Sequence, residues 1–123
     1  MDKKRRHPIY ITGEHRIYSC KTCHSHLLSQ RDVISRAFHG RHGPAYLVDS
    51  LINISAGVKE DRMLLTGMHT VADVSCNVCA TKIGWRYLQA AEESQKYKEM
   101  KYIVEKAKIS RETIWHMQEY MLQ

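Results

Sequence analysis

The sequence predicts a mainly β domain clamped by a metal ion. Three observations predict it: short β-branched and aromatic runs broken by glycines, two Cys-x-x-Cys pairs set 56 residues apart, and a length of 123 residues that suits one domain. Hydrophobic residues make up 43% and charged residues 26%, which suffices for a modest core and is too apolar for a chain that stays unfolded. The strongest apolar runs, such as 45–48, fall far short of the ~20 residues of a bilayer-spanning helix, so no membrane partner is expected.

Residues 1–13 read as a basic leader. Lys3, Lys4, Arg5 and Arg6 face only Asp2, so half of the formal net charge of +6 sits in six residues. Such runs are usually solvated tails, and they also serve as nuclear-import signals or loose phosphate contacts. No apolar stretch follows at 7–13, so secretion is not expected. Neither end carries a Met-Gly start or a prenylatable cysteine, so no lipid anchor is expected.

Strands are predicted at 16–19, 26–28, 45–48, 51–54, 62–65, 70–75 and 84–88, where β-branched and aromatic residues concentrate. Residues 31–38 fit a strand or a helix, because Val33, Ile34 and Phe38 also share a helical face. Gly40, Gly43 and Pro44 mark a tight loop before the strand at 45, with His39 and His42 expected to be solvated. From Ala90 the composition shifts to helix formers, and opposite charges at helical spacing over 92–99 predict a short helix. Residues 101–109 fit either an extension of it or a strand with Ile103, Ala107 and Ile109 on one face. Ser110 as N-cap, Glu112 in the first turn, and Ile114, Met117 and Met121 at helical recurrence predict a C-terminal amphipathic helix, its stripe widened by Trp115 and Tyr120. The expected organisation is a leader at 1–13, a β domain at 14–109 and a helical extension at 110–123.

All four cysteines fall into the pairs Cys20/Cys23 and Cys76/Cys79. Two intervening residues let a tight turn present both sulfurs on one side, so two turns complete a tetrahedral four-thiolate site, the usual home of a structural zinc ion. The surroundings repeat at an offset of 56: Ser19-Cys20-Lys21-Thr22-Cys23 matches Ser75-Cys76-Asn77-Val78-Cys79, and Leu27 matches Ile83. With four thiolates the ion has no open position, so it is expected to be structural and not catalytic. The 52 residues between Cys23 and Cys76, against ~15–20 in a simple ribbon, predict a large insertion between the two halves. Disulfide pairing is the alternative, disfavoured for want of a secretory signal. Cys20-Lys21-Thr22-Cys23-His24 also fits the haem-attachment signature, but that leaves Cys76 and Cys79 unexplained, and no haem is expected. Thiol redox chemistry lacks a nucleophile if all four sulfurs hold zinc. His24 and His26 correspond to Ala80 and Lys82 in the second half, so they are expected beside the site and not in it.

These residues resemble the Yippee family of small zinc proteins. Besides the Cys pairs, the likeness rests on Phe38-His39-Gly40-Arg41-His42-Gly43-Pro44-Ala45-Tyr46-Leu47, on Asp61-Arg62-Met63-Leu64-Leu65-Thr66-Gly67-Met68-His69-Thr70-Val71-Ala72-Asp73, on Gly84-Trp85-Arg86-Tyr87 and on Ser94-Gln95-Lys96-Tyr97-Lys98-Glu99. The resemblance implies a β-tent: two antiparallel sheets leaning together, pinned at their edge by a four-cysteine zinc. That architecture is similar to the ligand-binding domain of cereblon, to methionine sulfoxide reductase B and to an RNA-sensing helicase domain, and fold alone does not choose among them. The reductase needs a further reactive thiol, and this chain has no fifth cysteine. The cereblon cage uses three tryptophans, of which only Trp85 has a counterpart here. RNA sensing needs a lysine-rich face, and the body carries only about +1 once the leader and a four-thiolate zinc are discounted. Two departures stand out: Val58 where the family usually has proline, and Met100 where it usually has glycine, a residue better suited to a left-handed turn.

The resemblance implies a nuclear and cytoplasmic protein, associated with mitotic structures or a multi-subunit ubiquitin ligase. The expected function is therefore a non-enzymatic protein-interaction module, an adaptor or regulator, with His69, Trp85 and Tyr87 as the candidate contact patch. Ordinary packing is the competing reading of those three residues. The alternative function is a cereblon-like pocket for a small molecule or modified peptide end. A second alternative is salt-sensitive nucleic-acid binding through the leader.

Overall fold

The computed structural model describes residues 8–13 and 16–114. Their strands form two antiparallel sheets, the mainly β arrangement expected. β1 (Arg16–Cys20), β2 (His26–Ser29) and β9 (Ile109–Thr113) make a three-stranded sheet ordered β2-β1-β9. β3 (Val33–Gly40), β4 (Gly43–Val48), β5 (Ile54–Leu64), β6 (Gly67–Cys76), β7 (Lys82–Ala90) and β8 (Tyr102–Glu105) make a six-stranded sheet ordered β3-β4-β8-β7-β6-β5.

The central strands of the large sheet are covered on both faces, which is why they read as continuous apolar runs and not as alternation. Along β4, Tyr46 and Val48 pack into a core with Tyr18, Leu27, Leu28, Val74, Ile83, Cys20 and Cys76, between the two sheets. Ala45 and Leu47 point the other way, into a smaller cluster with Val71, Tyr87 and Ile103, flanked by Phe38, Leu64 and Trp85. The period of two assigns one face to the metal end and the other to an aromatic cluster. On β7 the parity breaks: Ile83 and Trp85 lie two apart yet join different clusters. The register shift between Val74/Ser75 opposite Gly84 and Lys82 leaves Ile83 as the extra residue of a bulge.

Several expectations are corrected. Residues 51–53 are not strand; Asn53 turns left-handed (φ 58°) and spends its carbonyl on the Asn77 N–H, so the strand starts at Ile54. The strand expected at 62–65 is the end of an 11-residue β5, and Leu65 belongs to the turn into β6. The ambiguous 31–38 is strand β3, entered from a single 3-10 turn, Gln30–Asp32, that Ser29 and Asp32 cap reciprocally. The loop at Gly40 and Gly43 tightens to two residues, Arg41 and His42, with the glycines paired across it and Gly43 at φ 111°. The short helix is a 3-10 segment, Glu93–Lys98, and 101–109 divides into strand β8 and a 3-10 turn, Lys106–Lys108. Ser110 is no N-cap. It pairs with Ser19 inside β9, because adding a third strand to β1 satisfies more backbone groups than starting a helix there would. The C-terminal helix expected over 110–123 is thus strand as far as Thr113, and Trp115, Met117, Tyr120 and Met121 lie outside the described residues.

Candidate metal centre

Each sheet delivers one cysteine pair. Cys20 closes β1 and Cys76 closes β6, and each strand runs straight into a tight knuckle. The knuckles are built alike. Cys20 N–H donates to Ser25 O at 2.8 Å and Cys76 N–H to Thr81 O at 2.8 Å; His24 N–H donates to Cys20 O at 2.7 Å and Ala80 N–H to Cys76 O at 2.9 Å. His24 (φ 65°) and Ala80 (φ 67°) are both left-handed, so the backbone reverses after the second cysteine in each copy. The repeat at an offset of 56 in the sequence is a repeat of geometry.

The four sulfurs lie within 4.8 Å of one another. Cys20 Sγ is 3.6 Å from Cys79 Sγ and Cys23 Sγ is 3.5 Å from Cys76 Sγ, so each knuckle faces the other's sulfurs. All four are free thiols. Four sulfurs bound tetrahedrally at ~2.3 Å sit about 3.8 Å apart, so the cluster fits a four-coordinate metal ion. Cys20 and Cys76 are fully buried, which shuts the site against solvent on the core side.

Hydroxyls flank the sulfurs. Ser25 Oγ lies 3.2 Å from Cys23 Sγ and Thr81 Oγ1 lies 3.1 Å from Cys79 Sγ, at matching places in the two knuckles. Thr81 Oγ1 is also 3.0 Å from Thr22 Oγ1, which ties one knuckle to the other. Burial pushes the Cys76 thiol up to about 12, while Cys79, which burial alone would raise, is brought down to about 7 by the hydroxyl and backbone of Thr81. A cation is what lets all four ionise together. Ser25 and Thr81 were not singled out from the sequence, although the offset of 56 aligns them.

The histidines stay out of the cluster, as expected. His24 is exposed, with Nδ1 3.3 Å from Glu112 Oε2, and Glu112 also accepts from Ser19 Oγ, bonding β9 to β1 beside the knuckle. His26 Nδ1 accepts from the Ile11 N–H at 3.0 Å, and burial lowers its pKa, which favours the neutral ring that this role requires. Asn53 holds the segment before β1: its Nδ2 donates to Ile9 O and His26 O at 2.7 Å each. His42 is not simply solvated. Its Nδ1 sits 2.8 Å from Oε1 of the buried Glu105.

The three residues of the candidate patch lie at the other face of the large sheet, around a cavity of about 670 Å³. Trp85 and Tyr87 line it, their rings edge-on at 6.1 Å between centroids. His69, 1% exposed, stands behind the wall with its ring 5.2 Å from that of Tyr87 and Nδ1 2.9 Å from Gly67 O. Phe38, Tyr97 and Lys98 also belong to the lining, and nothing in the sequence pattern marks them as site residues.

The family model described as "Yippee zinc-binding/DNA-binding /Mis18, centromere assembly" matches residues 16–121. The chain is 48% identical over 106 residues to "Protein yippee-like 4" of Homo sapiens, covering 86% of this chain and 84% of that one. It is 45% identical over 115 residues to "Protein yippee-like 3" of Homo sapiens, covering 94% and 97%. The crystal structure of a Mis18 "Yippee-like" domain superposes with a TM-score of 0.65 at 12% identity, covering 84% of this chain and 100% of that domain, a likeness of fold.

Proposed function

The chain belongs to the Yippee–Mis18 family, and on that premise we propose that it is a non-enzymatic protein-interaction module, stapled by one structural zinc ion held by Cys20, Cys23, Cys76 and Cys79. The observation that carries the reading is the convergence of all four cysteines on one cluster between two sheets, which supports a structural role for every thiol of the chain. Zinc suits the donors better than harder cations do, because four thiolates favour a soft or borderline ion. The ion supplies rigidity, and the surfaces supply recognition.

The setting proposed is that of an adaptor or regulatory subunit in a larger assembly such as a multi-subunit ubiquitin ligase, in nucleus and cytoplasm. Nucleic-acid contact through Lys3–Arg6 is the lesser reading, with a steep salt dependence as its signature. Elemental analysis of the purified protein tests the metal: one zinc per chain is expected, and a folded, metal-free protein overturns the reading. Purification from native cells under near-physiological salt tests the assembly: co-elution with a defined protein complex is expected, and elution as a lone species turning over a substrate overturns it.

A further inference from the structure

Lys98 is 3% exposed and lines the aromatic cavity. Its ammonium has one hydrogen-bond acceptor among the described residues, Thr66 Oγ1 at 3.1 Å, and lies 5.3, 5.4 and 5.9 Å from the ring centroids of Phe38, Tyr87 and Tyr97. The rings offset part of the lost hydration, but no carboxylate among the described residues compensates the charge, and burial alone shifts the pKa of the group, downward. The lining also includes Arg41 and Arg62 and no Asp or Glu. Arg62 is already paired with Glu60 and Asp73, which leaves Lys98 as the buried cation without a counter-ion among the described residues.

The Trp85 ring stands in the same wall. Its Nε1–H is shut off from solvent and acts on the Tyr87 phenol, so the ring gives the cavity apolar surface and not a free donor. A buried cation without a counter-ion is rare in folded proteins, and a cavity is where a ligand can supply what the chain does not. The missing chemistry is that of an anion beside apolar surface.

We propose that this cavity binds a carboxylate borne on an apolar group, with Lys98 Nζ donating to the carboxylate and the aromatic walls covering the apolar body. Its volume suits a small acid or the last residue of a polypeptide and is too small for a folded surface. The inference goes beyond the adaptor reading and does not depend on it.

The test uses the zinc-loaded full chain. ¹⁵N-labelled protein is titrated with N-acetyl-phenylalanine, with its C-terminal amide, and with an acetylated Gly/Ser peptide ending in a free phenylalanine, while the Trp85 indole N–H resonance is followed, assigned with Trp115→Phe. The free acid is expected to shift that resonance saturably and to bind at least roughly tenfold tighter than the amide, the scale of a hydrogen bond to a charged group. Tighter binding of the peptide than of the single residue assigns chain ends as the source, and equal binding assigns free acids. Lys98→Met is expected to erase the preference for the acid. Equal affinity for acid and amide, or no saturable shift by the acid, overturns the proposal on the unmutated protein whether or not the variant folds. Failure here leaves co-elution with a protein complex untouched, so the two readings fall separately.

Discussion

At the scale of single residues, the strongest statements concern groups that touch the sulfurs. Ser25 and Thr81 hold the outer cysteines by their hydroxyls, and loss of such partners to ligands typically weakens metal affinity about 10–100-fold. Thr81→Val is therefore expected to lose zinc to a competing chelator within that range while keeping the fold when zinc is in excess; unchanged competition would mean that the hydroxyl merely fills space. Met100 offers a test of the opposite sign. It is left-handed (φ 69°), a conformation that suits glycine better, and it donates its N–H to Tyr87 O at 2.7 Å to hold the turn. The left-handed form costs a side-chain-bearing residue ~1–2 kcal/mol, and glycine's extra unfolded freedom offsets part of the relief. Met100→Gly is expected to raise the unfolding free energy by about 1 kcal/mol or less, read as a higher urea midpoint at unchanged slope. A lower midpoint would show that the half-exposed methionine packs usefully.

Glu105 supplies a pH dependence. Burial raises its carboxyl pKa, but hydrogen bonds from the His42 ring and backbone outweigh that and hold it below the ordinary 4.5. The folded state thus binds the proton less readily than the unfolded state. Its contribution is full above pH 4.5 and fades as pH falls through the depressed value. Glu105→Gln should lower stability at neutral pH, and the gap to the parent protein should close in acid; thiolate protonation at the metal site is common to both proteins and cancels in the comparison. A gap constant with pH would remove the charge of the Glu105 carboxylate from the account.

At the scale of elements, β7 carries the constraint that the fold tolerates least. A Cβ on Gly84 would stand 1.9 Å from the Ile103 carbonyl oxygen, so β7 and β8 approach closely only because position 84 has no side chain. The same residue lies at the bulge that sends Ile83 and Trp85 to opposite faces. Backbone cannot move aside as a flexible side chain can, so Gly84→Ala is expected to cost at or above the top of the ~1–3 kcal/mol usual for overpacking. Thermal melting of the zinc-loaded variant checks this, and a melting point within a degree or two of the parent would contradict the close approach. Gly40 meets only the carboxylate end of Glu105, so Gly40→Ala should be milder.

At the scale of the molecule, the four-cysteine cluster joins the two sheets. β1 and β6 end at the same cluster, and the core between the sheets contains Cys20 and Cys76 themselves. Metal removal therefore strips the hinge of the core and not a surface ornament. In zinc-finger peptides the ion contributes an apparent ~10–16 kcal/mol at neutral pH, as large as the whole ~5–15 kcal/mol net stability of a typical domain. Chelation is expected to abolish the near-ultraviolet circular dichroism of the packed aromatics, and zinc to restore it. Retention of a native spectrum without metal would show that the sheets stand on apolar packing alone.

The sequence by itself determined which four sulfurs converge and the mainly β class, because both rest on local chemistry: Cys-x-x-Cys spacing fixes which atoms converge, and β-branched runs fix the backbone they converge from. Even the twin knuckles were legible in the offset of 56. Tertiary structure decided what depended on distant neighbours. Ser110 has the local marks of a helix cap and becomes strand because β1 offers it Ser19 as a partner; Tyr87 reads as a possible contact and becomes a cavity wall because a bulge at Ile83 turns the face of β7. Lys98 sits in a charged, solvent-like stretch of sequence and is buried because rings from β3, β7 and its own 3-10 segment close around it. Local pattern specifies a residue's preference, and the alternative partners that the folded chain brings within reach decide whether that preference is kept.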